Sequence, residues 1–229
     1  LLDVGCGPGT ISVDLGRFVA PGRVIGIDRS DEVIGIARSF AQEEGVGNVQ
    51  FQTGDVYDLD FAKETFDVVY AHQVLQHLSD PVAALKEMHR VLNVNGVLGV
   101  RDADYGGFFW SPNDDRLDKW LTLYHQVARN NSAEPDAGRH LASWVRDAGF
   151  RDCEVTSSNW IYESVQDRLW WGGLWADRVR HSDFSTQALS NGFADQKLLD
   201  DIASAFLEWA NDDRGIFVIV NIEVLARKS

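Results

Sequence analysis

Two rhythms of apolar residues take turns from Leu1 to Asp102. Short runs rich in β-branched residues read as strands: LLDV at the start, RVIGID (Arg23–Asp28), NVQFQTGD (Asn48–Asp55), FDVVYA (Phe66–Ala71) and VLGVRD (Val97–Asp102). Between them, helical stretches intervene. Thr10–Ala20 is the first, stopped by Pro21-Gly22. The second starts at Ser30, which suits an N-cap with Asp31 and Glu32 in the first turn, and reaches about Glu44. The third, Pro81–Leu92, opens on Asp80-Pro81 and is broken by Gly96. This regular succession of strand and helix predicts an α/β fold, a parallel sheet with crossover helices.

Beyond Asp104 the alternation lapses. Tyr105–Pro112 carries four aromatics and two glycines, and a helix around Asp114–Arg129 follows. Ala137–Ala148 reads as a helix closed by Gly149, CEVTSS (Cys153–Ser158) as a sixth strand, Asp195–Ala210 as a last helix and Gly215–Arg227 as a long final strand. Residues 105–135 and 160–194 are expected to be cap insertions above the strand ends, within a single domain spanning 1–229. That domain is expected to be incomplete at its N-terminus, since the chain starts in mid-strand without Met. Repeats and low-complexity linkers are absent from the sequence.

Charge narrows the choice of partners. With 21 basic against 35 acidic residues the formal net charge is −14, and no Lys/Arg cluster offers the basic face that duplex nucleic acid requires. A small-molecule substrate is expected instead. No apolar run approaches the roughly 18 residues of a membrane span. The two cysteines, Cys6 and Cys153, lie far apart, fit neither a disulfide framework nor a metal site, and predict a cytoplasmic protein.

The candidate chemistry begins at the first residues, LLDVGCGPGT. Gly5, Gly7 and Gly9 permit a tight turn whose backbone N–H groups approach a ligand closely. Asp3, at the mouth of that turn, would repel a pyrophosphate and attract a ligand that carries an ammonium and a sulfonium. The spacing is G-x-G-x-G, with Thr10 where a dinucleotide fingerprint has its third glycine. Asp28 ends the second strand at about the 20-residue spacing expected of an acid that takes both hydroxyls of a ribose. Asp55, after the third strand, can accept from an adenine amine with the Val56 N–H beside it, and Arg29 can lay its stem over the ring. Alone, each acid reads equally well as a cap or turn residue. The set in register with the glycine turn favours a cofactor site.

Asp3 with this turn resembles motif I of the class I S-adenosylmethionine-dependent methyltransferases. VIGIDRSDEVIGIAR, FQTGDVYDL, FDVVYAHQVLQHLSDPVAALKEMHRVLNVNGVLGV and LASWVRDAGF extend the likeness to the UbiE-like small-molecule methyltransferases, over residues 1 to about 158. Two departures stand out. Val33 replaces a frequent Met, and NVNG (Asn93–Gly96) replaces a K-P-G-G turn. The resemblance implies a Rossmann-like sheet of seven strands, order 3-2-1-4-5-7-6 with the last antiparallel, and S-adenosylmethionine as cofactor with S-adenosylhomocysteine as product. It assigns cofactor contacts to Asp3, Gly5, Cys6, Gly7, Asp28, Arg29, Asp55, Val56, His72 and Gln73. No metal is implied.

Methyl transfer demands alignment of nucleophile, methyl and sulfur, and for a weak nucleophile a proton acceptor. His77 and Asp102 are the candidates for that role; hydrogen bonding for His77 and solvation of a loop acid for Asp102 are the plain alternatives. Trp160, Trp170, Trp171 and Trp175, with Phe108, Phe109 and Trp110, either line an apolar acceptor pocket or form ordinary core. The acceptor expected from the first reading is flat or greasy: a quinol, polyketide, phenolic or sterol-like compound. A protein that binds the cofactor without transfer, and a nicotinamide-dependent oxidoreductase, are the competing readings. Asp3 and the missing third glycine count against the latter.

Overall fold

The computed structural model describes Leu1–Ser229, and the predicted alternation of elements is present in it. β1 (Leu2–Val4), α1 (Thr10–Val19), β2 (Val24–Asp28), α2 (Asp31–Glu43), β3 (Val49–Thr53), β4 (Phe66–His72), α3 (Pro81–Val91) and β5 (Leu92–Ala103) follow in order. β6 (Phe109–Ser111), α4 (Asp115–Asn130), α5 (Leu141–Asp147), β7 (Asp152–Tyr162), α6 (Val165–His181), α7 (Asp183–Ser190), α8 (Gln196–Asn211) and β8 (Ile216–Arg227) complete the chain. The chain divides into two units: residues 1–102, 138–156 and 222–229 form the first, and 103–137 with 157–221 the second.

In the first unit the strands run β3-β2-β1-β4-β5-β8, with β7 paired to β8. The core strands are parallel, Leu2 standing opposite both Ile25 and Val69. β8 runs the other way beside β5: Asn95 N–H donates to Lys228 O at 2.8 Å and Lys228 N–H to Gly96 O at 3.0 Å. This is the expected order, with β7 as the sixth strand and β8 as the seventh. Helix starts follow the capping chemistry. Ser30 Oγ accepts from Val33 N–H at 3.3 Å and Asp80 Oδ1 from Ala83 N–H at 2.9 Å, with Pro81 just inside α3. Leu2, Val69, Leu85, Met88 and Leu98 are fully buried between sheet and helices. Burial of each such side chain contributes about 1.5–3 kcal/mol.

The second unit is mostly helical. Trp120, Trp171, Trp175, Phe206 and Phe217 make its core. α6 and α8 pack closely at Gly172, where a Cβ would stand 2.7 Å from both Ala210 Cβ and Phe206 O. β6 pairs antiparallel with the start of β8, Trp110 opposite Phe217. No helix in the chain is long and apolar enough to cross a membrane.

Several boundaries differ from the expectations. NVNG is not a turn ahead of the fifth strand but a bulge inside β5. The pairing with β4 jumps from Phe66↔Leu92 to Val68↔Val97, and Asn95 takes φ 63°. The sixth strand runs four residues further than CEVTSS, to Tyr162, and so takes up Trp160. Ala137–His140 is a tight 3₁₀ turn, leaving α5 to start at Leu141. β6 and α7 were not foreseen. The regions expected as cap insertions fall within the second unit, which also takes in α8. Of their aromatics, Phe108, Trp110, Trp171 and Trp175 are buried in that unit's core, whereas Phe109, Trp160 and Trp170 are exposed.

Candidate functional site

A cleft of about 740 Å³ opens in the first unit at the carboxyl ends of β1 to β4. This is where an open α/β sheet holds its ligands, and the volume lies in the usual range for a small-molecule site. Gly5 contributes from the turn after β1, Asp28 and Arg29 from the end of β2, Thr53 to Tyr57 from the loop after β3, and Gln73, Val74, His77 and Leu78 from the segment after β4. Seven of the sequence-predicted site residues therefore meet in one cavity: Gly5, Asp28, Arg29, Asp55, Val56, Gln73 and His77.

The glycine turn is shaped by sterics. Gly5 has φ +69°, and a Cβ there would stand 2.5 Å from Val74 Cγ2. Gly7 points its N–H at Asp28 Oδ2, 3.1 Å away, and Ser30 N–H meets Asp28 Oδ1 at 3.1 Å. Asp28 is thus held by two backbone donors from different loops while it lines the cleft. Asp55 Oδ1 accepts from Tyr57 N–H at 2.9 Å, closing the turn after β3. Tyr57 was not singled out from the sequence. Its hydroxyl accepts from Asp80 N–H at 3.1 Å and lies 3.3 Å from Ser79 Oγ, tying the loop after β3 to the one after β4. The one signal for it was an aromatic two residues beyond the acid of TGD.

The remaining predicted residues, Asp3, Cys6, Gly7, His72 and Asp102, are not among those that line the cleft. Asp3 is buried and accepts from Ser12 Oγ at 2.5 Å; burial raises its carboxyl to about 6. Cys6 is buried in the turn, its N–H donating to Ile27 O at 2.9 Å; burial first and then the charges of Asp3 and Asp28 push its thiol up to about 12, so it is no nucleophile. His72 sits between Tyr70 Oη (3.0 Å from Nδ1) and Arg101 Nη1 (3.2 Å from Nε2). A guanidinium only donates, so Nε2 accepts and Nδ1 carries the proton. Burial and the Arg101 charge lower this imidazole to about 4, and it is neutral at pH 7. Arg101 is itself paired with Glu223 at 3.1 Å.

Asp102 is fully buried at the end of β5. Its Oδ2 accepts from Leu75 N–H at 3.3 Å and its Oδ1 from Gln76 N–H at 3.2 Å. Both oxygens are committed to the backbone after β4, which is a positioning role. Burial raises this carboxyl to about 7 against those hydrogen bonds. The same segment is strained. Gln73 takes φ 58° and its N–H donates to Arg101 O at 2.7 Å, while its Oε1 accepts from Gln76 Nε2 at 2.7 Å. Gln76 Nε2 also lies 3.3 Å from His77 Nε2, and partial burial with the Arg29 charge lowers the His77 pKa, leaving it neutral at pH 7. The acids on the strand ends, backed by Asp3 and flanked by one exposed Arg29, suit a ligand with hydroxyls and a cationic group and no phosphate.

A family model described as a methyltransferase domain matches residues 1–162. An uncharacterized methyltransferase of Schizosaccharomyces pombe is 35% identical over 238 residues, 100% of this chain and 84% of that protein. A demethylmenaquinone methyltransferase of Lactococcus lactis is 39% identical over 97 residues, 42% of this chain and 38% of that protein. The crystal structure of the YcgJ protein of Bacillus subtilis aligns with a TM-score of 0.64 at 24% identity, covering 99% of this chain and 90% of that one, a likeness that fixes the fold.

Proposed function

Because the chain belongs to the methyltransferase domain family and is an S-adenosylmethionine-dependent methyltransferase, we propose that the cleft on β1 to β4 holds the donor and that the acceptor is a small apolar or aromatic molecule. The observation that carries the first part is Asp28: a carboxylate fixed by the Gly7 and Ser30 N–H groups, lining the cleft, with lone pairs left for two ribose hydroxyls. Gly5 and Gly7 let the donor's amino-acid part approach the backbone, with the Asp3 carboxylate behind them to balance an ammonium. Asp55 and the Val56 N–H serve the adenine edge, and Arg29 covers its face. Gln73 and His77 stand toward the reacting end, and His72 holds the strand end through Tyr70 and Arg101.

When bound, the donor supplies a methyl group already activated on a sulfonium, so the protein's part is alignment. Asp102 fixes the Leu75–Gln76 backbone, and through it the direction of Gln73 and His77. His77 is neutral at pH 7; its Nε2 lone pair accepts from Gln76 Nε2 at 3.3 Å, and it takes a proton from the acceptor when that contact is given up. The small-acceptor reading is supported by the acidic chain and by the kinds of acceptor its relatives are named for, a demethylated quinone in the Lactococcus lactis enzyme. Two measurements test the proposal. Calorimetry is expected to show S-adenosylmethionine and S-adenosylhomocysteine binding with no competition from NADH; NADH binding as tight as the donor would overturn the site assignment. A labelled-methyl screen against quinols, phenols, polyketides and sterols is expected to label one of these, and label entering none would overturn the acceptor class.

A further inference from the structure

β7 is an edge strand left open. Its 11 residues pair with β8 and with no other strand, and all but Cys153 and Tyr162 are exposed. A strand at a sheet edge presents a row of N–H and C=O groups that a further strand can take up. Soluble chains blunt such a row with Lys, with Pro or by keeping the strand short. β7 uses none of these devices: it is about twice the commonest strand length and holds neither Lys nor Pro. Its only charges, Asp152 and Glu154, stand at its start. Three large apolar side chains on it meet solvent, Val155 at 46%, Trp160 at 39% and Ile161 at 55% exposure.

The strand is complementary to itself. Along any strand the backbone groups point alternately to the two edges, so a residue that bonds outward can face only another that does. A strand lying antiparallel to its own copy must therefore set one residue opposite itself. With Ser158 on the two-fold axis, Val155 faces Ile161, Thr156 faces Trp160 and Glu154 faces Tyr162, each pair occurring twice. Apolar β-branched side chains then meet, an indole lies against a β-branched neighbour, and the acid stands opposite a phenol donor rather than another acid. Moving the centre by one residue destroys the match, because Val155 would face Asn159 or Glu163.

We propose that the chain forms a homodimer in which β7 pairs antiparallel with β7 of a second copy, the two-fold axis passing at Ser158. No β7 residue lines the cleft, so this interface stands apart from the donor assignment. Two chains of net charge −14 repel, and the test is sedimentation equilibrium in about 0.5 M NaCl, where that repulsion is screened within a few ångströms. A monomer–dimer equilibrium with a dissociation constant on the order of 10 µM or tighter is expected, as suits a small interface. Val155→Lys and Ile161→Lys, both at exposed positions, are expected to weaken it at least tenfold, with melting temperatures within about 2 °C of the wild type's. Cross-linking reads the register. Cys6 is buried, and in a Cys153→Ser background Ser158→Cys is expected to be joined to its copy by bismaleimidoethane. Asp152→Cys would lie about 40 Å from its copy, six residues of rise on either side of the axis, and is expected to stay unlinked. A chain that is monomeric at about 200 µM leaves this edge to some other partner and overturns the dimer. A dimer unaffected by both lysines overturns it as well, and equal linking at 152 and 158 overturns the register.

Discussion

Asp28 and Asp102 are both acids at strand ends, and their surroundings give them different work. Asp28 keeps lone pairs toward the cleft, so Asp28→Ala removes a charged acceptor worth about 1.5–3 kcal/mol. The expected outcome is at least a tenfold weaker S-adenosylmethionine affinity in a folded protein, read by calorimetry; unchanged affinity would remove the ribose assignment. Asp102 faces only backbone N–H groups, and burial raises its carboxyl to about 7. A carboxyl raised in the folded state contributes stability that is fully present below the unfolded value near 4 and is lost as pH rises through the folded one. Asp102→Asn cannot titrate, so its melting temperature is expected to fall less than the wild type's between pH 5 and pH 8. Parallel melting curves across that range would show that this carboxyl does not set the slope. Both acids were legible as strand-end residues. Which of them faces ligand was not, because that depends on the β4 segment folding back over Asp102.

The glycine turn shows how an element, rather than a residue, makes the site. Gly5 gives way to Val74 from the segment after β4, so the turn after β1 and the loop after β4 are shaped against each other. Gly5→Ala meets both a positive φ and a 2.5 Å contact with Val74 Cγ2. The strain is of order 1–3 kcal/mol, with the loop displaced into the cleft. A lower melting temperature together with weaker S-adenosylmethionine binding is expected, and Val74→Ala in the same chain should restore part of both. A Gly5→Ala protein with full donor affinity would show that the two elements are not coupled. Elements with local signals were legible to within a residue or two: α2 from the Ser30 cap, α3 from Asp80-Pro81, β2 from its apolar run. The failures lie where partners decide. NVNG holds the glycine and asparagines of a turn, but pairing with β4 on one side and Lys228 on the other absorbs it as a bulge. The outer end of β7, Asn159–Tyr162, is largely exposed, and its consecutive Trp-Ile-Tyr run carries no alternation to mark it as strand.

At the scale of the whole molecule, the partition into two units could not be read along the chain, because the second core is gathered from distant segments. Trp110 on β6, Trp120 on α4, Trp171 and Trp175 on α6, Phe206 on α8 and Phe217 on β8 meet only after folding. The aromatic stripe of α6 was legible as a stripe, and its spacing alone served a pocket wall and a core equally well. Burial decides for Trp171: it is 6% exposed, stacked on Tyr162 and tilted against Phe217 at 5.6 Å. Removing the indole leaves a cavity that costs about 3–5 kcal/mol. The cleft proposed for the donor is built wholly from residues of the first unit, whose core lies on Leu2, Val69 and Leu98. Trp171→Ala is therefore expected to lower the melting temperature by several degrees, since about 1 kcal/mol shifts a domain of this size by roughly 2–4 °C. Near-ultraviolet dichroism should lose tryptophan signal at the same time, while the affinity for S-adenosylhomocysteine stays within about twofold because none of its contacts has changed. A donor site weakened tenfold in a variant that melts like the wild type would mean that this indole serves the cofactor and that the second unit's core closes without it.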